Sequence, residues 1–104
     1  MCGIIGIVGH ERDSREKAIA GALPTLGKRG PDDSAVATFQ NATFGHTRLS
    51  IIDLTSGAQP MKDNARDLTI TFNGEIFNYK ELRNTLEKSG HRFSTTSDTE
   101  VILK

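Results

Sequence analysis

Five places in this 104-residue chain carry groups suited to acyl transfer. Cys2, the only cysteine, stands directly after Met1. Its small side chain is one that methionine aminopeptidases accept, and with Met1 removed it presents a thiol and a free α-amine on one residue. The thiol is intrinsically nucleophilic, and an α-amine, whose pKa is ordinarily near ~8, can take its proton. Nucleophile and base then need no histidine. Arg48, in "GHTRLSIID", precedes the apolar Leu49, Ile51 and Ile52, and a planar guanidinium in that setting suits a bidentate grip on a carboxylate. Asn73 and Gly74, in "FNGEIFNY", offer a side-chain amide and a closely approachable backbone N–H, the two donors of an oxyanion hole. Asp98, at an expected helix start, can hold an ammonium group. Arg29 lies in "KRGPDDS", a turn stiffened by Pro31.

Each has a plainer alternative. Arg48 can be a surface arginine, Asn73-Gly74 a hairpin turn, Asp98 a helix cap, and Cys2 a frayed terminal residue. Taken together they describe a ligand with a carboxylate and an ammonium at one end and an acyl electrophile at the other. That ligand is an amino acid with a side-chain amide.

Bulk properties remove several other classes. Thirteen basic residues balance thirteen acidic ones with no basic run, so no electrostatic footprint for nucleic acid or an anionic membrane is present. No apolar stretch approaches the ~20 residues of a membrane span, and the start lacks the basic region of a signal peptide. One cysteine makes no internal disulfide, which fits a cytoplasmic protein. Gly3, Gly6 and Gly9 lie inside an expected strand and do not follow dinucleotide-binding spacing. His10, His46 and His91 are scattered and have no ligand partner at metal-binding spacing, so no metal is expected. A structural role suits His46 better than acid–base work.

The elements that must position these groups read as follows. Residues 3–9 form a buried strand. Apolar spacing over 13–26 predicts a helix, with Asp13 and Glu16 as a capping pair and Pro24 ending or kinking it. Residues 35–39 and 43–47 form a hairpin around "QNA", 53–67 a long surface loop, and 68–72 a strand ending at Asn73-Gly74. Asn78 and Glu81 cap a helix closed by Gly90, residues 92–95 make a further strand, and Ser97 to Glu100 make a capping box. The last helix stops at Lys104 within two turns, so the chain reads as a domain cut short.

The motifs "MCGIIGIVG", "RGPDDS", "HTRLSIIDL" with "GAQPM", "FNGEIFNYKELR" and "SDTEVIL" run in order along the whole chain. As a set they resemble the glutaminase domain of class II glutamine amidotransferases, which are N-terminal nucleophile hydrolases. Arg29-Gly30-Pro31-Asp32 and Arg48-Leu49-Ser50 favour the branch of the glutamine-hydrolysing asparagine synthetases, and amidotransferases of surface-polysaccharide clusters share that pattern. The resemblance implies an α+β fold, a four-layer αββα sandwich of which residues 1–104 supply the N-terminal part. It implies Cys2 as nucleophile and Asn73 and Gly74 as oxyanion hole. Arg48, Leu49, Ser50, Ile51 and Ile52 then hold the glutamine α-carboxylate, Glu75 continues the glutamine-binding strip, and Asp98 holds the α-amino group. Arg29 takes a supporting role.

The implied reaction splits glutamine into glutamate and ammonia through a Cys2 thioester, with ammonia passed to a synthetase domain as that domain's partner. No Ser-Gly-Gly-x-Asp phosphate loop occurs here, so that domain is absent from the sequence and ATP and magnesium are expected only with it. Oligomeric state stays open, a homodimer included. The rival from another class is a non-catalytic binding or assembly fragment that keeps the front of the fold and turns nothing over.

Overall fold

The computed structural model describes residues 1–9, 11–50 and 56–104. Its first sheet is built from β1 (Gly3–Val8), β2 (Asp33–Thr38) and β3 (Ala42–Arg48) in the order β1-β3-β2, antiparallel throughout. The expected hairpin is therefore β2-β3, and the amino-terminal strand is its outer neighbour. β1 is not buried on both faces, as its glycine-spaced apolar run suggests. Ile5 and Ile7 are half-covered while Ile4 and Val8 stay exposed, because a helix covers only one face of this edge strand.

That helix, α1 (Arg12–Ala22), buries Ile19 fully against β3. The approach is close enough that a Cβ on Gly45 would lie 3.0 Å from Ile19 Cγ2 and 2.8 Å from Ile5 Cγ2. Only glycine fits the middle of β3 there. Pro24 ends the α-helix as expected, and one 3₁₀ turn (Leu23–Leu26) follows. The capping pair does not form: Glu11 takes the N-cap position without a side-chain bond, and Glu16 instead pairs with Arg12 one turn back at 3.1 Å. Arg15 is buried and ties the far end of the sheet together, donating to Thr43 Oγ1 and to the carbonyls of Gly9, Phe39 and Gln40.

The second sheet pairs β4 (Met61–Asp63) with β5 (Leu68–Ile70). β4 falls inside the stretch expected as a surface loop. Its charged residues hid it: Asp63 is buried, and Lys104 Nζ, 41 positions away, meets its carboxylate at 2.9 Å. His46, on the β3 face opposite α1, shares a 2.8 Å hydrogen bond with Thr71, the residue just past β5, and so links the first sheet to the end of the second. Two helices, α2 (Tyr79–Lys88) and α3 (Asp98–Leu103), follow, and α3 packs on β4 and β5. Asn78 and Glu81 make no side-chain cap for α2, but its far end closes as predicted. Gly90 has φ +93°, His91 N–H bonds Leu86 C=O, and Gly90 N–H bonds Glu87 C=O. Two sheets with helices packed on them make this an α+β fold.

The strand expected over 92–95 is absent. Ser94 and Thr95 donate their backbone N–H groups to the Glu100 carboxylate at 2.8 and 2.7 Å, and their hydroxyls join it. Arg83 claims the Thr95 carbonyl at 2.6 Å. Both backbone groups of Thr95 and the N–H of Ser94 are thus taken from any β-ladder. The capping box is modified for the same reason: Ser97 Oγ accepts Thr99 N–H, but Glu100 reaches past Ser97 to residues 94 and 95.

Glu100 therefore carries a testable share of stability. Burial alone raises its pKa, but the bonds from Thr95 and Ser94 outweigh that and hold it below its ordinary 4.5. A depressed carboxylate stabilises the fold above its unfolded pKa and loses that contribution as pH falls through the lower folded value. Glu100→Gln, which turns half of this acceptor into a donor, is expected to cost about 2–3 kcal/mol near neutral pH in urea unfolding. The difference from wild type should shrink as pH falls below 4.5. A constant difference across that range would count against this assignment.

Candidate active site

Strand β3 delivers the first wall of the site. The β1-β3 register sets Gly3 opposite Thr47, so one further step brings Cys2 beside Arg48. There the thiol is held by the chain leaving β3: Leu49 N–H donates to Cys2 Sγ at 3.3 Å, and Sγ lies 3.6 Å from Leu49 O. Arg29 acts on the backbone of Cys2. Its Nε donates to the Cys2 carbonyl at 3.1 Å, fixing the backbone that carries the thiol. The Arg29-Gly30-Pro31-Asp32 loop lies flat on the end of β3, where a Cβ on Gly30 would overlap the Thr47 backbone. Asp32 N–H bonds Arg48 C=O at 2.9 Å, and Asp32 Oδ2 accepts Ser50 N–H at 2.7 Å. One loop thus clamps residues 2, 48 and 50.

The second wall comes from the segment leaving β5 and from the start of α3. The strand ends at Ile70, two residues earlier than its apolar pattern suggests, because Phe72 N–H turns to Gln59 Oε1 at 2.6 Å. Asn73 and Gly74 follow, half-buried and exposed. Ile76 N–H then donates to Asp98 Oδ2 at 2.9 Å, and Asp98 is itself buried. Gln59 completes the wall, its Nε2 donating to Thr99 Oγ1 at 3.2 Å.

Between these walls lies a cavity of about 340 Å³. Cys2, Arg48, Leu49, Asn73, Gly74, Glu75 and Asp98 line it, together with Met1, Gly57, Gln59, Phe72, Ser97 and Thr99. The cation of Arg48 and the anions of Glu75 and Asp98 share this one space. Of the other expected residues, Ser50 does not line it and spends its N–H on Asp32. Arg29 acts from behind Cys2, and Ile51 and Ile52 lie outside the described residues. The residues missed from sequence are chiefly Gln59, Phe72 and Thr99. Gln59 stood in the quoted "GAQPM", where nothing local separates a wall-forming glutamine from a loop glutamine.

His46 is a structural residue. It is 1% exposed and does not line the cavity. Burial first, then the positive charge of Arg48, hold its pKa below 6.5 against an opposing pull from Asp33, which keeps the ring neutral near pH 7. Among the described residues no group of three or more His, Cys, Asp or Glu is placed to hold a metal ion, and no helix is long and apolar enough to cross a membrane.

Residues 1–104 match a family described as a glutamine amidotransferase domain. The chain is 42% identical over 107 residues to the glutamine-hydrolyzing asparagine synthetase 3 of Bacillus subtilis (strain 168), covering 99% of this chain and 17% of that protein. It is 40% identical over 104 residues to the glutamine-hydrolyzing asparagine synthetase 3 of Arabidopsis thaliana, covering 98% and 18%. The figures for the glutamine-hydrolyzing asparagine synthetase of Sandersonia aurantiaca are 41%, 98% and 19%. The chain therefore spans less than a fifth of the length of these relatives.

Proposed function

The chain belongs to the glutamine amidotransferase domain family, and from that membership we propose that its cavity hydrolyses glutamine through Cys2. One observation carries the reading. Groups 96 positions apart in sequence, from Cys2 to Asp98, converge on one cavity with a thiol, two candidate oxyanion donors, a guanidinium and a carboxylate. Glutamine matches each of these with one of its own groups.

Met1 lines the cavity with Cys2, so its removal both frees the Cys2 α-amine and opens space beside it. Arg48 takes the substrate α-carboxylate, and Asp98, with Glu75 nearby, takes the α-ammonium. The Cys2 sulfur attacks the amide carbon as the α-amine accepts its proton. The carbonyl oxygen becomes an oxyanion held by Gly74 N–H and the Asn73 amide. The C–N bond then breaks, the stored proton goes to nitrogen, and ammonia leaves. A water molecule, deprotonated by the same amine, splits the γ-glutamyl thioester into glutamate and free thiol.

In this reading residues 1–104 are the N-terminal part of a glutaminase domain with αββα layering. The order α1, first sheet, second sheet, α3 supports that, since α1 covers one face of β3 and His46 meets Thr71 from the other. The ammonia passes to a synthetase domain that makes asparagine from an ATP-activated aspartate. The asparagine synthetases that this chain matches over 17–19% of their length support that assignment. ATP and magnesium belong to that domain, and no step at Cys2 passes through them.

An intact mass spectrum before and after incubation with a diazo-ketone analogue of glutamine tests the proposal. The expected result is loss of Met1 and one stoichiometric adduct on Cys2, absent in Cys2→Ala. A processed chain that takes no adduct would mean that residues 1–104 do not assemble the working pocket by themselves and that the rest of the sandwich is required.

A further inference from the structure

Gln59 touches both halves of the second wall and has no role in the chemistry above. Its orientation is dictated by its partners. Phe72 N–H can only donate, so the atom facing it at 2.6 Å is Oε1, and Nε2 must face Thr99 Oγ1 at 3.2 Å. Phe72 immediately precedes the candidate oxyanion donors, and Thr99 immediately follows the carboxylate placed to hold the ammonium. At its other end the strip is tied to α3 directly, through Ile76 N–H and Asp98 Oδ2. The segment carrying Asn73 and Gly74 is therefore suspended between two fastenings on the start of α3, one to the Asp98 carboxylate itself and one through the interposed side chain of Gln59. Thr99 is buried, and its N–H is already taken by Ser97 Oγ, so the helix start offers a fixed anchor.

We infer that Gln59 is a positioning residue that sets the spacing between the oxyanion donors and the ammonium-binding carboxylate, matching the cavity to the length of its substrate. The inference rests on the glutaminase reading. Without Gln59 the Asp98 end still anchors the substrate, but the donors ahead of it lose their register with the amide carbon. Misplacement on the scale of an ångström is enough to cost about 10²-fold in rate.

The test uses the full-length, Met1-processed protein and Gln59→Met, which keeps side-chain length and volume but has no amide. Glutamate release is measured with glutamine, and glutarate release with 4-carbamoylbutanoate, which has the same amide and carboxylate but no α-ammonium. The expected loss in kcat/KM with glutamine is about 10- to 100-fold, most of it in kcat. With the deaminated substrate, which Arg48 alone anchors, the loss should be at least about threefold smaller, because the spacing from Asp98 to the donors then no longer acts on the substrate. Thr99→Val cuts the same bridge from the other side and should show the same substrate-dependent pattern at smaller amplitude, which covers the case in which Gln59→Met does not fold. Equal losses with both substrates would overturn the inference and leave Gln59 a packing residue. A wild type that releases no glutamate would overturn the glutaminase reading, and this inference with it.

Discussion

Cys2→Ala is expected to abolish glutamine hydrolysis while leaving fold and substrate binding in place. The structure separates these effects because Cys2→Ala gives up only the two thiol contacts to Leu49 and keeps the backbone ties of residue 2. Arg29 Nε binds its carbonyl, and Gly3 onward is held by the β1-β3 ladder. Alanine keeps the α-amine as well, so the proposed base survives and only the nucleophile is lost. The drop in kcat should be on the order of 10⁴-fold or more, the scale seen when a covalent nucleophile is deleted. Calorimetric binding of glutamine should stay within a few-fold of wild type, since Arg48, Glu75 and Asp98 are untouched. Activity retained within about tenfold would move the nucleophile elsewhere and sink the thioester route.

The second large effect is expected at Asn73. Its segment is pinned on either side, by Gln59 at Phe72 and by Asp98 at Ile76, so shortening the side chain leaves the backbone donor of Gly74 where it is. Asn73→Ala should lower kcat by about 10²- to 10³-fold with little change in KM, the signature of an interaction realised only in the transition state. Asn73→Asp should be worse, because it sets a carboxylate against the developing oxyanion. Gly74 is a poorer probe: a Cβ there would sit 2.6 Å from the tip of the Phe72 ring, so Gly74→Ala shifts a neighbour as well as the donor. A raised KM at unchanged kcat in Asn73→Ala would reassign Asn73 to ground-state binding.

Particular elements explain what was readable in advance. The hairpin, the stop at Pro24 and the closure of α2 at Gly90 all rest on interactions within a few residues. Alternation, a locked φ and a positive φ are written into adjacent side chains. The expected strand over 92–95 and residues 61–63 of the expected loop over 53–67 went the other way, and in both cases a distant side chain decided. Glu100 and Arg83 claim the polar groups that a ladder at Thr95 would use, and Lys104 neutralises the aspartate that makes β4 look too polar for a buried strand.

The same division runs through the site. The sequence by itself determined which groups were available: a thiol beside the initiator methionine, an arginine at a strand end, an amide followed by glycine, and an aspartate at a helix start. It also supplied the one residue small enough to lie on the β3 backbone at Gly30. Only the tertiary structure decided that these groups share one cavity, that Ser50 gives its N–H to Asp32, and that Gln59 links the two sides of the second wall. The physical reason is range. Residue type and local spacing govern reactivity and backbone preference, while convergence depends on registers and hydrogen bonds closed between residues far apart in the chain.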